Sequence, residues 1–153
     1  MNARIRKKQL KQYAKIFCDE VRQLSPEVKE KLTRKNPIVK CYKEKGLGGP
    51  VSDYPDSVGG LEEIIETHNG RLVIDGYFDK ETGSIEIYNI FGEPLDYIKT
   101  IIRHECIHFI LYESGLPWKD NDEMFTEMAR YFNANPYRDY TEFVDILKEI
   151  EII

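Results

Sequence analysis

The feature that most constrains this chain is a helical stretch from Pro94 to Ser114, because it carries the pattern His-Glu-x-x-His within an apolar sequence. Proline suits the first turn of a helix, and Gly115 just past the last residue suits its end. Apolar residues surround the histidines and predict that the rest of the fold buries this helix. These residues are Ile101, Ile102, Ile107, Phe109, Ile110 and Leu111.

The two histidines of the pattern, His104 and His108, are one helical turn apart. Residues i and i+4 share a helix face, so both imidazoles can reach one metal ion. Glu105 projects beside that face, where a carboxylate can take a proton from a metal-bound water and deliver it to a leaving group. The alternative is a pair of histidines on a helix surface or hydrogen-bonded in a core. The chain has three histidines, two of them here, and the pattern predicts a Zn²⁺ site with Glu105 as general base.

A catalytic zinc usually takes a third protein ligand and keeps one position open. Asp120 is twelve residues after His108, at the start of the next predicted helix, and Glu127 is nineteen residues after it, inside that helix. Asp120 alternatively caps the helix in a capping box with Glu123, and Glu127 alternatively faces solvent. The residues alone leave both candidates open.

The remaining sequence predicts a small α+β domain formed by the whole chain, 1–153. Two segments rich in β-branched and aromatic residues flank the turn sequence DKETG and predict a β-hairpin. The predicted elements are a helix over about 5–24, a second helix from Pro26 to near Asn36, an irregular loop over 45–60, a short helix over 61–67, strands over 71–78 and 84–90, helices from Pro94 and from Asp120, and a C-terminal helix over 138–153.

Charge is unevenly distributed along the chain. Residues 1–45 carry 14 Lys/Arg against five Asp/Glu, whereas the chain as a whole has a net charge of -5. This basic helical head could bind nucleic acid or another acidic partner. The alternative is that its charges are the solvated face of helices packed on the body, and no recognisable DNA-binding motif is present.

Location follows from what the sequence lacks. No apolar run approaches the roughly 20 residues of a membrane helix, and the N-terminus has no apolar stretch typical of a signal peptide. The three cysteines are not clustered, which argues against a disulfide framework. We expect a cytoplasmic protein without a membrane partner.

The stretch HECIHFILYESGLPWKDNDEMF resembles the SprT-like family of minimal zinc metallopeptidases. That family has HExxH, then about a dozen residues, an aromatic-Lys pair, a third metal-binding histidine and an aromatic residue that starts the packed face of the next helix. The corresponding residues here are Trp118-Lys119, then Asp120 in place of the histidine, and Phe125. The likeness covers about residues 72–134. It implies a zincin-like catalytic core over 61–134, with His104, His108 and Asp120 as ligands and Glu105 as base.

The resemblance implies a peptidase that acts on peptide or protein substrates, with DNA-bound proteins as one candidate class. Aspartate binds zinc through oxygen at about 2.0–2.2 Å, so Asp120 can replace the histidine, and the alignment favours it over Glu127. The replacement also motivates an alternative, a catalytically weak or inactive zincin-fold module that binds metal in a regulatory or DNA-associated role.

Two further features of a peptidase stay open at this point. A donor for the developing oxyanion is needed, and Tyr112, Tyr131, Tyr137 and Arg103 are conceivable. The predicted strand over 84–90 could pair with an extended substrate by β-augmentation.

Overall fold

The computed structural model describes residues 3–31, 34–50, 67–68 and 71–135. These ranges mix helices and strands, which confirms the α+β class. The helices are α1 (Ala3–Leu24), α2 (Pro26–Glu30), α3 (Leu95–Glu113) and α4 (Glu123–Tyr131). The strands are β1 (Ile38–Cys41), β2 (Gly46–Pro50), β3 (Thr67–His68), β4 (Arg71–Ile74), β5 (Gly76–Asp79) and β6 (Ser84–Ile87). Among the described residues, no helix has both the length and the apolarity that crossing a bilayer requires.

α1 is an amphipathic helix that packs its apolar face against α3. Its buried residues recur every three or four positions, the spacing of one helix face. They are Leu10, Ala14, Phe17, Cys18 and Val21. Cys106 of α3 lies against this face, with its Sγ 3.9 Å from the carbonyl oxygen of Ala14. The predicted helix over 5–24 is confirmed, and it covers one side of the helix that carries the histidines.

A three-stranded sheet with the order β1-β6-β5 packs against α3. β5 and β6 form the predicted hairpin, with Phe78 opposite Ile85. β1 pairs with β6 in parallel. The sequence pattern predicts no strand at β1. A strand of only four residues has little local signal and forms because it pairs with its partner strand. β6 is therefore the central strand with both edges paired, so the prediction that segment 84–90 pairs with a substrate is wrong.

The predicted strand over 71–78 is divided at Asp75 into β4 and β5. β4 belongs to a second sheet with the order β2-β4-β3, whereas β5 belongs to the sheet on α3. Asp75 Oδ2 accepts a hydrogen bond from the hydroxyl of Tyr97 at 2.8 Å, and its carbonyl oxygen accepts the N–H of Tyr88 at 3.0 Å. These bonds hold the chain where it passes from one sheet to the other.

α3 begins and ends where the sequence predicts. Pro94 is the N-cap residue, and Gly115 has the positive φ of 68° that a helix terminator adopts. The N–H of Leu116 donates to the carbonyl of Leu111 at 2.9 Å, and the N–H of Gly115 donates to that of Tyr112 at 3.1 Å. This is a Schellman motif, which ends the helix and reverses the chain.

The start of α4 differs from the predicted capping box. Asp122 is the N-cap residue, and α4 begins at Glu123. The Asp122 carboxylate accepts the N–H of Lys119 at 2.8 Å, and its carbonyl oxygen accepts the hydroxyl of Thr126 at 3.0 Å. Asp120 thus lies in the turn ahead of the N-cap residue, and its carboxylate does not cap the start of α4. The prediction that Asp120 opens the helix with Glu123 as its capping partner is wrong.

Two other predictions fail in the described residues. α2 ends at Glu30 rather than near Asn36, and residues 34–36, directly ahead of Pro37, are not helical, as the steric restriction before proline favours. The predicted loop over 45–60 begins with a strand, because Gly46–Pro50 pairs with β4 as β2. The rest of that loop, residues 61–66 of the predicted short helix and the C-terminal helix over 138–153 lie outside the described residues, and Thr67 belongs to β3.

Candidate metal centre

α3 carries three polar side chains on an otherwise apolar, buried surface. His104, Glu105 and His108 retain only 6%, 6% and 5% of their exposure. Their possible ligand atoms all lie within 4.8 Å of one another. Helical geometry places residues four apart on the same face, which explains how the two imidazoles meet. This group can hold a metal ion, in line with the prediction from the pattern.

Asp120 joins the two imidazoles from the turn that precedes α4. Its Oδ1 lies 3.2 Å from His104 Nε2 and 2.9 Å from His108 Nε2. The two Nε2 atoms are 3.2 Å apart. Glu127 is an exposed residue of α4, and in the described part of the chain it does not belong to the His-Glu-His group. The structure thus brings Asp120, and not Glu127, to the histidines.

The opposite nitrogen of each ring is held by a backbone carbonyl. His104 Nδ1 lies 2.9 Å from the carbonyl oxygen of Ala134, and His108 Nδ1 lies 2.5 Å from that of Trp118. A carbonyl oxygen only accepts hydrogen bonds, so each Nδ1 must carry the hydrogen and donate it. In a neutral imidazole the Nε2 then carries a lone pair, which is the tautomer that binds a metal.

This arrangement concentrates electron pairs at one point. Two Nε2 lone pairs and the Asp120 carboxylate face one another at 2.9–3.2 Å. Three such atoms repel unless a positive charge lies among them, either a proton on an imidazole or a metal ion. With both Nδ1 hydrogens fixed, the site can accept a positive charge, either a proton or a metal ion.

The spacing also fits a tetrahedral ion. Donor atoms placed about 2.0–2.1 Å from a zinc ion are separated by about 3.3–3.4 Å in a tetrahedron. The triangle of His104 Nε2, His108 Nε2 and Asp120 Oδ1 has edges of 3.2, 3.2 and 2.9 Å. Asp120 Oδ1 completes this triangle with both Nε2 atoms, and the ligand atom of Glu105 lies within 4.8 Å of those of both histidines. Asp120 is accordingly a candidate for the third donor.

Aromatic rings pack around the two imidazoles. Phe125 of α4, which is buried, stacks on His108 with a centroid distance of 4.0 Å and an angle of 14°, and it meets His104 edge-on at 5.0 Å. Phe78 of β5 lies parallel to the His108 ring at 6.3 Å. Rings held between other rings lose freedom to rotate, so this packing preorganises the donor atoms.

Glu105 lies at a close contact between β5 and α3. A Cβ atom added at Gly76 would stand 2.6 Å from Ile101 Cγ2 and 3.0 Å from Glu105 Cγ. Only glycine permits this approach of strand and helix. β5 therefore forms one wall against the Glu105 side chain, next to the histidines.

The site opens to solvent on the side of Asp120, whose side chain is 40% exposed. Burial of the remainder raises the pKa of this carboxyl, but in the metal-free site, where an imidazole carries a proton on Nε2, the hydrogen bonds and charge of His104 and His108 lower it more, and the net pKa lies well below its usual range. Asp120 is thus ionised near neutral pH. An ionised oxygen at an open edge suits a ligand set that leaves a coordination position for substrate.

The four residues considered as oxyanion donors lie at different places relative to the two histidines. Arg103 donates to Asn133, Tyr13 and Thr100, on the side of α3 that faces α1. Tyr131 is 72% exposed near the end of α4. Tyr112 contacts Phe78 and Trp118, one turn beyond His108. Tyr137 lies outside the described residues.

Comparison with protein families, with curated proteins and with solved structures gave no match to this chain. The support for a metal site in this chain therefore comes from the geometry of its residues.

Sequence reasoning did not find several parts of the site. The carbonyls of Ala134 and Trp118 have no side-chain signature, although each follows a helix that ends in a left-handed residue, Asn133 at φ 53° and Gly115 at φ 68°. The closeness of Gly76 to Glu105 has no local signal either. Phe125 is the exception, because its place on the apolar face of the following helix is visible in the sequence.

Proposed function

We propose that this protein is a zinc-dependent metallopeptidase that hydrolyses peptide bonds. The observation that carries the proposal is the convergence of His104 Nε2, His108 Nε2 and Asp120 Oδ1, with both Nδ1 atoms committed to carbonyls. Two imidazoles and a carboxylate suit Zn²⁺ better than oxygen-preferring ions such as Mg²⁺ or Ca²⁺. Three protein ligands at an open site are typical of catalytic rather than structural zinc.

Zinc held there would supply Lewis acidity, which polarises a substrate carbonyl and acidifies water. Glu105 takes the proton of the attacking water on a carboxylate oxygen and later delivers it to the amine nitrogen of the leaving group. Its position supports this role, because its ligand atom lies within 4.8 Å of those of both histidines. A purely structural ion has no use for such a base.

The site also offers a place for an extended peptide. β5 is the edge strand of its sheet among the described residues. It carries Gly76 beside Glu105 and Phe78 beside His108. A peptide that pairs with the outer edge of β5 would run past both groups, with main-chain hydrogen bonds giving affinity. This supports peptide or protein substrates bound at β5 rather than at β6.

The fold, family and location belong to the same proposal. The HExxH helix, the hairpin packed on it and the following helix support a zincin-like core and a relationship to the SprT-like family. The three cysteines, Cys18, Cys41 and Cys106, are free and buried, which supports a reducing compartment such as the cytoplasm.

Metal analysis tests the site first. Wild type, Asp120→Ala and Glu127→Ala are each stripped of metal with a chelator, reconstituted with Zn²⁺ and dialysed. Their zinc content is then measured by elemental analysis. We expect about one zinc per chain in the wild type and in Glu127→Ala, and a large loss in Asp120→Ala, because one of three ligands is removed. Glu127→Ala is the matched control, an acidic residue of the following helix that does not belong to the His-Glu-His group. Absence of zinc from reconstituted wild type would overturn the proposal.

Activity separates a peptidase from a passive metal-binding protein. Glu105→Gln preserves size and hydrogen bonding but removes the base. With unstructured protein and a quenched-fluorescence peptide library as substrates, wild type should cleave, and Glu105→Gln should lose most of its activity while keeping zinc. Equal cleavage by both proteins would refute the role of Glu105.

A second candidate is a catalytically weak module that binds metal and nucleic acid. It is favoured by four exposed basic residues of α1 at positions i, i+4, i+7 and i+11, namely Arg4, Lys8, Lys11 and Lys15. No acidic residue precedes Asp19 in α1. If this stripe contacts phosphates, DNA affinity should fall steeply with salt and fall further when Lys8 and Lys11 become glutamate. DNA binding without cleavage of any substrate would favour this candidate over the peptidase.

A further inference from the structure

Arg103 connects three separate segments next to the metal centre. Its Nε donates to the carbonyl oxygen of Asn133 at 2.9 Å. One terminal nitrogen donates to the hydroxyl of Tyr13 in α1 at 2.6 Å, and the other donates to the hydroxyl of Thr100 at 3.0 Å. The planar guanidinium fixes the relative directions of these bonds, which a single-point lysine cannot do. Arg103 is therefore a rigid link between α1, α3 and the segment after α4.

That segment is the end of α4, built as a Schellman motif. Asn133 has the left-handed φ of 53°, and its N–H donates to the carbonyl of Arg130 at 3.3 Å. The N–H of Ala134 donates to the carbonyl of Ala129 at 2.7 Å. The motif brings Ala134 back over α3, where its carbonyl oxygen accepts the hydrogen of His104 Nδ1 at 2.9 Å.

Neighbouring residues of α3 thus bind neighbouring carbonyls. Arg103 holds the carbonyl of Asn133, and His104 binds that of Ala134. The peptide unit between Asn133 and Ala134 is planar. Arg103 holds it at the oxygen, and the carbonyl of Ala129 holds it at the N–H. Because this peptide plane is held at both its oxygen and its N–H, only rotation about the backbone bonds of Ala134 can change the direction of the Ala134 carbonyl. Ala134 is fully buried.

We propose that Arg103 is a positioning residue of the metal centre, which holds the 133–134 peptide so that the Ala134 carbonyl sets the tautomer and ring orientation of His104. The inference rests on the proposed metal-binding function. Loss of the group that directly hydrogen-bonds a metal-binding histidine, here the Ala134 carbonyl, commonly changes metal affinity about 10- to 100-fold. Arg103 acts through that carbonyl, so its effect should lie at the lower end of this range. Arg103 acts on His104 alone, because His108 uses the carbonyl of Trp118.

The surroundings of Arg103 make a clean test feasible. Tyr13, Arg103 and Asn133 line an open cavity of about 410 Å³ between α1 and the end of α4. A methionine at position 103 keeps the length of the side chain without its donors, and the open cavity gives it and water room. A matched control is Arg130→Met, because Arg130 is an exposed arginine of α4 beside the same motif with no hydrogen bond or ion pair of its side chain in the described residues.

The experiment measures Zn²⁺ affinity by competition with a chromophoric chelator at fixed pH, for wild type, Arg103→Met and Arg130→Met. A second readout is ¹⁵N NMR of the histidine Nδ1 hydrogens in the zinc-loaded full-length proteins. We expect about 10-fold weaker binding for Arg103→Met, the lower end of the range for loss of a direct histidine partner, and no change for Arg130→Met. The Nδ1–H signal of His104 should be lost or exchange rapidly in Arg103→Met, whereas that of His108 stays.

The outcomes separate the inference from the function on which it rests. Wild type that binds no Zn²⁺ sinks the proposed function. Wild-type binding with equal affinity and an intact His104 signal in Arg103→Met overturns the inference and leaves the function standing. Equal loss of the His104 and His108 signals would show general loosening and would also overturn it. If Arg103→Met does not fold, Tyr13→Phe removes one bond of the same link and should weaken Zn²⁺ binding several-fold with the same selectivity for His104.

Discussion

Replacement of Gly76 by alanine tests the contact between β5 and α3 on which the placement of Glu105 depends. The new Cβ would lie 2.6 Å from Ile101 Cγ2 and 3.0 Å from Glu105 Cγ. Unstrained carbon–carbon contacts lie at about 3.5–4.0 Å, so the nearer contact is short by about 1 Å. Ile101 is 2% exposed, and a β-branched side chain has little freedom to move aside. The strand or the helix must then shift.

The expected cost is the balance of two effects. Overpacking of a core typically costs about 1–3 kcal/mol, and the stiff partner places this site in the upper half of that range. Gly76 does not have the left-handed φ found at Gly83 and Gly115, so alanine also restricts the unfolded chain and recovers about 0.4–1 kcal/mol. We expect a net loss of about 1–2.6 kcal/mol in the free energy of unfolding.

This loss is measured by urea unfolding of the metal-free, chelator-treated protein, with circular dichroism as the probe. Ile101→Ala removes the Cγ2 atom in the short contact, so the cost of Gly76→Ala should shrink in that background, and a double-mutant cycle isolates the coupling. Zinc content should stay near wild type, because no ligand is touched. Peptidase activity should fall, because the new methyl group displaces Glu105. An unchanged or raised free energy of unfolding would refute the close approach of β5 to α3.

Three further predictions concern the surroundings of the site. Phe125→Ala removes the ring that packs on both imidazoles; we expect about 3–5 kcal/mol of destabilisation in urea and weaker zinc binding, and wild-type stability would contradict the packing argument. Asn133→Gly should leave the melting temperature nearly unchanged, whereas Asn133→Val should cost about 1–2 kcal/mol, because a β-branched residue resists the left-handed φ; equal stability of the two variants would count against the helix-end geometry. Burial raises the pKa of Cys41 to about 11, so at pH 8 the protein should react slowly with a thiol reagent when native and quickly in urea. Rapid reaction of the native protein would contradict the burial of Cys18, Cys41 and Cys106.

Local features of the fold could be predicted from the sequence because their causes are local. α1 and α3 begin and end within two residues of their predicted bounds, since apolar periodicity, Pro94 and Gly115 act over a few residues. The β5–β6 hairpin follows from the turn sequence between two β-rich segments. The meeting of His104 with His108 belongs to the same group, because four residues of any α-helix place two side chains on one face.

Other features depend on the path of the chain through space. The sequence pattern predicts one strand over 71–78, but bonds to Tyr88 and Tyr97 divide it at Asp75. β1 has no strong local signal and exists through its pairing with β6. Aspartate is a common helix N-cap, which favours Asp120 in the sequence, but in the turn after α3 the N-cap residue is Asp122.

The sequence by itself determined the helix, its two imidazoles and the carboxylate between them, because covalent spacing and helical geometry suffice for these. Only the tertiary structure decided that Asp120 rather than Glu127 reaches the imidazoles, since that choice depends on where the turn between α3 and α4 runs. It also decided which backbone carbonyls fix the rings. A carbonyl is present in every residue, so its role comes from position and not from side-chain identity, and position is set by packing between elements distant in sequence.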